Sequence, residues 1–310
     1  MELRHLRNFL TVVEQRSVSN AASIIRLAQP ALSRQLRALE DELGAPLLVR
    51  HGWGVTPTPE GEVLAEHARL LLQRAQMARD AVGALSGTPT GRLAIGVPSS
   101  MAMLLPELAL AARTALPRVR LRLVEGYSAN LHQRTLAGEL DIAILYNEPH
   151  LPALTRWPLL TDKLVAIGAA GLFRPGVDVT LAELFEHPLL LPASSNRLRI
   201  LFEQAAAQAG MDSHVDMEVD SVPALLELVA AGAGVSVLPY STVKSGVDQG
   251  RLSSAPIGPK PLTRSLVLAR PADRMETPAW RAMANLLREI LRSKEESFGW
   301  SVAEISEPAP

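Results

Sequence analysis

The chain contains no cysteine. Disulfides and thiolate metal centres are thereby excluded, and a reducing compartment fits the composition. Net charge is also nearly absent, with 31 Lys and Arg against 32 Asp and Glu, a formal −1. No global attraction to nucleic acid or membrane follows, so any nucleic-acid surface must be local. No run of about 18 apolar residues exists, which argues against a transmembrane helix. The opening Met1-Glu2-Leu3-Arg4-His5-Leu6-Arg7 is amphipathic and lacks the unbroken apolar core of a signal peptide; a cytoplasmic protein without membrane contact is expected. The histidines at 5, 51, 67, 132, 150, 187 and 214 show no metal-ligand spacing. Gly126-Tyr127-Ser128-Ala129-Asn130 lacks the final glycine of a nucleophile elbow. Gly232-Ala233-Gly234 precedes a strand pattern, whereas a dinucleotide fingerprint joins strand to helix. These absences leave no catalytic motif, no metal site and no cofactor, and an enzyme is not expected.

What is present centres on residues 29–44. Leu32, Leu36, Leu39 and Leu43 form an apolar stripe at helical spacing, while Pro30, Ser33, Arg34 and Arg37 project from the other side. Pro30 suits the first helical position and Gly44 the stop. Arg34 and Arg37 come early and Glu40, Asp41 and Glu42 late, an order that opposes the helix dipole. A helix that forgoes this stabilisation is free to present its basic early turns to phosphates and base edges; the same face also suits an ordinary solvated helix. Residues 1–59 carry seven Arg against five acids, a weak basic excess.

The 310 residues, 47% hydrophobic, provide material for two or three domains. Leu3, Leu6, Phe9, Leu10 and Val13 predict a first helix, and Ser19 a cap for a short second helix reaching about Arg26. With the 29–44 helix they make a helix-turn-helix, whose second helix enters the major groove. Residues 46–50 and 55–56 read as a β-wing around His51-Gly52-Trp53-Gly54. Arg50 is placed to meet a phosphate; Trp53 suits either a sugar-backbone contact or the cover of a small core. Thr58-Pro59-Glu60 starts a long helix. Leu64, Ala68, Leu71, Ala75, Ala78, Val82 and Leu85 form a heptad seam on it. Over about 28 residues that helix would span roughly 42 Å, and pairing with a second copy is the expected use of the seam. Ser86-Gly87-Thr88-Pro89-Thr90-Gly91 reads as a hinge.

Beyond the hinge, strand and helix patterns alternate, the mark of an α/β fold in two lobes with a cleft between them. The strands are expected at 93–97, 119–124, 141–146, 164–168, 189–191, 215–219, 235–238 and 264–269, and the helices at 101–115, 128–138, 181–185, 196–209, 222–231 and 277–291. The expected divisions are 1–58, a DNA-binding head; 59–90, linker helix and hinge; 91–293, a regulatory domain with lobe I at 91–162 and 266–293 and lobe II at 163–265; and 294–310, a mobile tail. Ser99-Ser100, Ser128, Ser194-Ser195-Asn196 and Ser221-Val222 each stand where a strand gives way to a helix start, which offers free N–H groups to an anion, although each serine by itself is also an ordinary cap. Tyr146 stands at a strand end suited to the same cleft.

Several motifs together carry a resemblance. Ser17-Val18-Ser19-Asn20-Ala21-Ala22, Gln29-Pro30-Ala31-Leu32-Ser33-Arg34-Gln35-Leu36, Leu39-Glu40-Asp41-Glu42-Leu43-Gly44, Pro46-Leu47-Leu48 and Thr58-Pro59-Glu60-Gly61 resemble the N-terminal domain of LysR-type transcriptional regulators. Gly91-Arg92-Leu93-Ala94-Ile95-Gly96, Gly138-Glu139-Leu140-Asp141-Ile142-Ala143-Ile144 and Gly232-Ala233-Gly234-Val235-Ser236-Val237-Leu238-Pro239 extend it over about residues 1–292. The resemblance implies a winged helix-turn-helix, a linker-helix dimer assembling into a tetramer, and an effector domain of periplasmic-binding-protein type. It implies double-stranded promoter DNA as partner, with contact at Gln29, Pro30, Ser33 and Arg34, and RNA polymerase as a further partner. It also implies that the helix starts above face one cleft, so that Ser99, Ser100, Ser128, Tyr146, Ser195, Asn196 and Val222 are the expected contacts of a small organic effector, with their free N–H groups favouring a carboxylate or other anion. The wing departs from the family's usual pattern, with Leu48 where Phe is common and Gly52, Trp53 and Gly54 where bases are common. The two lobes by themselves also suit a solute-binding protein; the N-terminal module and the expected absence of a signal peptide favour the regulator.

Overall fold

The computed structural model describes residues 1–84, 89–146 and 153–304. It divides into two units, Met1–Ser86 and Gly87–Pro310. Leu85 of the seam and part of the expected hinge lie outside the described residues.

The first unit begins with three helices, α1 (Leu3–Gln15), α2 (Val18–Ile25) and α3 (Gln29–Leu43). Leu6, Phe9 and Val12 of α1, Ala21 and Ala22 of α2 and Leu32, Leu36 and Leu39 of α3 close into one core. Asn8 Nδ2 donates to Gln35 Oε1 at 2.7 Å, tying α1 to α3. Two details differ from expectation. Ser17 caps α2, its side chain accepting from Asn20 N, so the helix starts earlier than a Ser19 cap would have it. Leu43 stands 43% exposed, because the helix turns it away from α1 and α2 just before Gly44 ends the helix at φ 68°.

The wing pairs β1 (Leu48–His51) with β2 (Gly54–Pro57). Val55 N donates to Arg16 O at 2.8 Å, anchoring the wing to the end of α1. α4 (Pro59–Ala84) follows. Thr58 Oγ1 accepts from Gly61 N at 2.9 Å and donates to Pro46 O at 2.7 Å, so one hydroxyl caps α4 and joins it to the strand approach. A Cβ at Gly61 would lie 2.1 Å from Leu47 O, closer than any side chain allows.

The second unit is built on a nine-stranded sheet among the described residues. Its strands are β3 (Gly91–Pro98), β4 (Val119–Gly126), β5 (Ile142–Tyr146), β6 (Leu154–Ala169), β7 (Val179–Thr180), β10 (Ser236–Pro239), β11 (Leu252–Gly258), β12 (Thr263–Pro271) and β13 (Ser301–Val302); β8 (Leu190–Leu191) and β9 (Met217–Glu218) form a separate parallel pair. The helices are α5 (Leu105–Ala115), α6 (Ser128–Leu136), α7 (Leu181–Leu184), α8 (Arg197–Gln208), α9 (Val222–Ala230), α10 (Tyr240–Asp248) and α11 (Pro278–Phe298).

Lobe I is the sheet run β4-β3-β5-β12-β6. Period-two alternation explains its two layers. Ile142 and Ile144 of β5 face the core shared with Leu104, Leu108, Trp280 and Leu287, whereas Ala143 and Leu145 face Leu131 and Leu140 beside α6. β6 does not stay in lobe I. Its 16 residues pair with β12 over Leu154–Lys163 and then with β10 and β11 from Leu164 onward, so the strand expected at 164–168 is the far half of one crossing strand. Lobe II packs Leu164, Ile167, Phe202, Leu225, Val229 and Val237 into its own core.

The helix expected at 101–115 is divided. A 3₁₀ segment runs over Ser99–Leu104, and α5 begins at Leu105 with Pro106 in its first turn. α10 and β11 were not expected from the sequence. The mobile tail from residue 294 is corrected over its described part. α11 continues to Phe298, Trp300 is 4% exposed against the lobe I core, and β13 pairs with β6. Aromatic burial holds residues 298–302 where their polar neighbours suggested release. No helix of the described residues is long and apolar enough to cross a membrane.

Candidate functional site

On the first unit, shutting Leu32, Leu36 and Leu39 into the core leaves the early face of α3 outward. Gln29, Pro30, Arg34 and Arg37 are exposed there and Ser33 is half-buried. The late acids have separate work. Glu40 Oε1 accepts from Leu47 N at 2.9 Å and Leu48 N at 3.3 Å, so this carboxylate holds the strand that follows the helix. Arg50 is exposed on the wing. Trp53, at the wing tip, is 79% exposed and stacks on His51 with ring centroids 4.6 Å apart. It covers no core, which removes one of its two sequence readings.

The seam of α4 divides between two environments. Ala68 is buried in the head and Leu64 packs partly against the same core, so both positions also serve their own chain. Beyond them Leu71, Ala78 and Val82 are exposed and Ala75 is half-buried.

On the second unit, all seven effector residues expected from the sequence line one cavity of about 260 Å³ between the lobes. Lobe I contributes Ser99, Ser100, Ser128 and Tyr146, and lobe II contributes Ser195, Asn196 and Val222. Their local roles differ. Asn196 caps α8, its Oδ1 accepting from Leu198 N at 3.0 Å. Ser128 is not a cap. It is the first residue of α6, and its Oγ accepts from Tyr146 N at 3.1 Å, fastening that helix to the end of β5. Ser221 caps α9 and so turns Val222 into the cavity wall.

The sequence reading missed Tyr127, Arg197 and Asp220, which also line the cavity. Tyr127 OH donates to the main-chain carbonyl of Asp220, a bond from lobe I to lobe II. Burial first, then Asp220 and Glu125, raise the Tyr127 pKa, so the phenol keeps its proton. Also missed was a buried group behind the cavity. Arg264 pairs with Asp162 at 2.9 Å and donates to Ser100 Oγ and Tyr146 OH, both at 2.7 Å. Burial weakens the Arg264 cation, but Tyr146 and Asp162 outweigh it and the net pKa is raised. The available signal was an Arg at the head of the largely apolar 264–269 strand. Among the described residues no cluster of His, Asp or Glu is arranged to hold a metal ion.

A winged helix-turn-helix joined to a two-lobed α/β unit enclosing a polar cleft defines the class, a DNA-binding transcription regulator with a small-molecule-binding domain. Residues 3–62 match the bacterial regulatory helix-turn-helix protein, lysR family, and residues 86–292 match the LysR substrate binding domain. The chain is 32% identical over 294 residues to the nitrogen assimilation regulatory protein nac of Klebsiella aerogenes, covering 94% of this chain and 95% of that protein. It is 32% identical over 297 residues to the SDS degradation transcriptional activation protein of a Pseudomonas species, covering 92% and 95%. Among solved structures, a full-length OxyR variant from Pseudomonas aeruginosa superposes with a TM-score of 0.71 at 26% identity, covering 94% and 95% of the two chains. Full-length BenM superposes with a TM-score of 0.57 at 29% identity, covering 100% of both. The chain belongs to the LysR family of transcriptional regulators. It binds DNA, carries an effector-binding domain and is not an enzyme.

Proposed function

We propose that the head reads double-stranded promoter DNA through Gln29, Pro30, Ser33, Arg34 and Arg37, with Arg50 of the wing on a phosphate. The observation that carries this reading is the sidedness of α3. Leu32, Leu36 and Leu39 are shut in the core, and its early polar residues stand outward on the turn where a helix-turn-helix meets base edges. Leu71, Ala75, Ala78 and Val82 pair α4 with a second copy, and such pairs assemble into a tetramer that also meets RNA polymerase in the cytoplasm.

The cleft takes a small organic effector with an anionic group. Main-chain N–H groups at the starts of α6, α8 and α9 support this choice, since helix N-termini favour negative charge. Because the cavity is lined from both lobes, an effector with unequal affinity for two lobe arrangements shifts their populations.

The test is to select genomic fragments retained by the purified protein, with and without small carboxylic acids. Retention of a distinct set is expected, and its affinity should change with an acid. Arg34→Ala should cost about 1–3 kcal/mol at a selected site if Arg34 reads a base. Unaltered affinity and footprint in that variant remove Arg34 from the reading role. No selective retention would overturn the reading of promoter sites through this face of α3.

A further inference from the structure

Arg264 of β12 lies opposite Asp162 of β6, on the paired strands where the chain passes from one lobe to the other. The two side chains are 2% and 0% exposed. Ser241 Oγ of α10 donates to the same Asp162 oxygen at 3.1 Å. A buried ion pair is weak evidence for stability, because desolvation offsets most of the attraction. The other end of the guanidinium shows a different consequence. Arg264 is not itself among the cavity-lining residues, yet both hydroxyls it binds, Ser100 and Tyr146, are.

A guanidinium donates and cannot accept. At both contacts the direction of the hydrogen bond is therefore fixed. The hydroxyl oxygen accepts, and the hydroxyl's own proton is left for another acceptor. Two further lining groups have the same polarity. Ser128 Oγ already accepts from Tyr146 N, and Asn196 Oδ1 from Leu198 N, which leaves an O–H and an NH₂ to donate. The carboxylate on the wall, Asp220, has Oδ1 taken by Ala193 N at 3.0 Å and its main-chain carbonyl taken by Tyr127 OH.

We propose that Arg264 is a positioning residue that sets the hydrogen-bond polarity of the cleft. Through Ser100 and Tyr146 it takes up one acceptor position on each hydroxyl and leaves both protons to donate, which biases the lobe I wall toward donation and favours an effector that brings an acceptor there, a carboxylate or comparable oxyanion. A charged acceptor forms shorter and stronger bonds with such donors than a neutral one. The proposal rests on the reading of this cleft as the effector site.

The experiment uses the full-length protein and matched probes, namely acetate, succinate and benzoate against acetamide, succinamide and benzamide. Calorimetric titration and thermal unfolding are the readouts. At least one acid should saturate the wild type with a Kd at least about tenfold below that of its amide. In the double variant Arg264→Met with Asp162→Leu, which removes both charges together, that preference should fall to within about threefold. Arg264→Lys keeps a cation but loses the fork, and should retain part of the preference. Should the double variant fail to fold, Ser100→Ala and Tyr146→Phe each remove one directed donor, and each should lower the acid-to-amide ratio. An amide or amine that binds the wild type as tightly as the acid overturns the proposal, as does an undiminished preference in the double variant or in both single variants. Val222→Trp, which fills the cavity, separates the two readings. An acid that still binds that variant refutes the cleft as effector site. An acid whose binding Val222→Trp abolishes, but whose preference survives loss of Arg264, refutes only the role of Arg264. If no probe saturates the wild type, both fall together.

Discussion

Glu40 is the sharpest test of how this head is held together. Its carboxylate sits in the last turn of α3, where the helix dipole disfavours an anion, yet it accepts from the N–H groups of Leu47 and Leu48. Glu40→Ala leaves the N–H of buried Leu47 without that partner, at a cost of about 1–3 kcal/mol. Relief of the dipole returns about 0.3–1 kcal/mol. The difference, taken at mid-range, is roughly 1.4 kcal/mol lost, equivalent to about tenfold in an opening equilibrium. Glu40→Gln keeps a neutral acceptor and loses the unfavourable charge, so its two effects nearly cancel. Hydrogen exchange followed by mass spectrometry on the full chain reads this directly, because amides in peptides spanning 46–50 exchange through local opening. The Ala variant should exchange there about tenfold faster, and the Gln variant within about twofold of wild type. Equal protection of 46–50 in wild type and Glu40→Ala would refute the tie between helix and wing. Equal loss in both variants would show that the charge, not the acceptor, carries it.

Two further outcomes follow from the same unit. Gly61→Ala should destabilise the head by at least about 1–3 kcal/mol, the usual cost of overpacking, because its Cβ would lie 2.1 Å from the Leu47 carbonyl and backbone must move; hydrogen exchange in peptides spanning 6–13 and 32–39 of the full chain measures it, and unchanged protection there contradicts the close approach. Replacing Leu71 and Val82 together by Glu should halve the solution mass seen by ultracentrifugation at low concentration, since both are exposed in the single chain; an unchanged mass refutes the seam as a dimer contact.

Much of the head was legible because its signals are local. Leu32, Leu36 and Leu39 fall at helical spacing, Pro30 and Gly44 mark the helix ends, and Thr58 caps α4, all within a few residues of what they control. The errors arose where one local signal competed with another. Ser17 and Ser19 both suit a cap, and packing of Val18 and Ala21 decided for Ser17. Leu43 fits the stripe by angle but lies beyond the reach of α1 and α2. In the second unit α10 escaped notice because Tyr240-Ser241-Thr242-Val243-Lys244-Ser245-Gly246-Val247-Asp248 is poor in strong helix formers. It forms because Val243 joins the lobe II core and Gly246 approaches Leu252 closely.

The three helices and wing of the head, the alternation of strand and helix beyond it, the outward basic face of α3 and the polar openings of the cleft were written in the sequence itself, since periodicity, caps and turn residues act over one or two helical turns. Only the tertiary structure decided that β6 serves both lobes, that Trp300 packs onto the lobe I core, and that Glu40 belongs to the wing. It alone brought Arg264 against Ser100, 164 residues away in the chain. No pattern of spacing encodes such a meeting, because strand pairing between distant segments is set by the register of the whole sheet and not by its nearest residues.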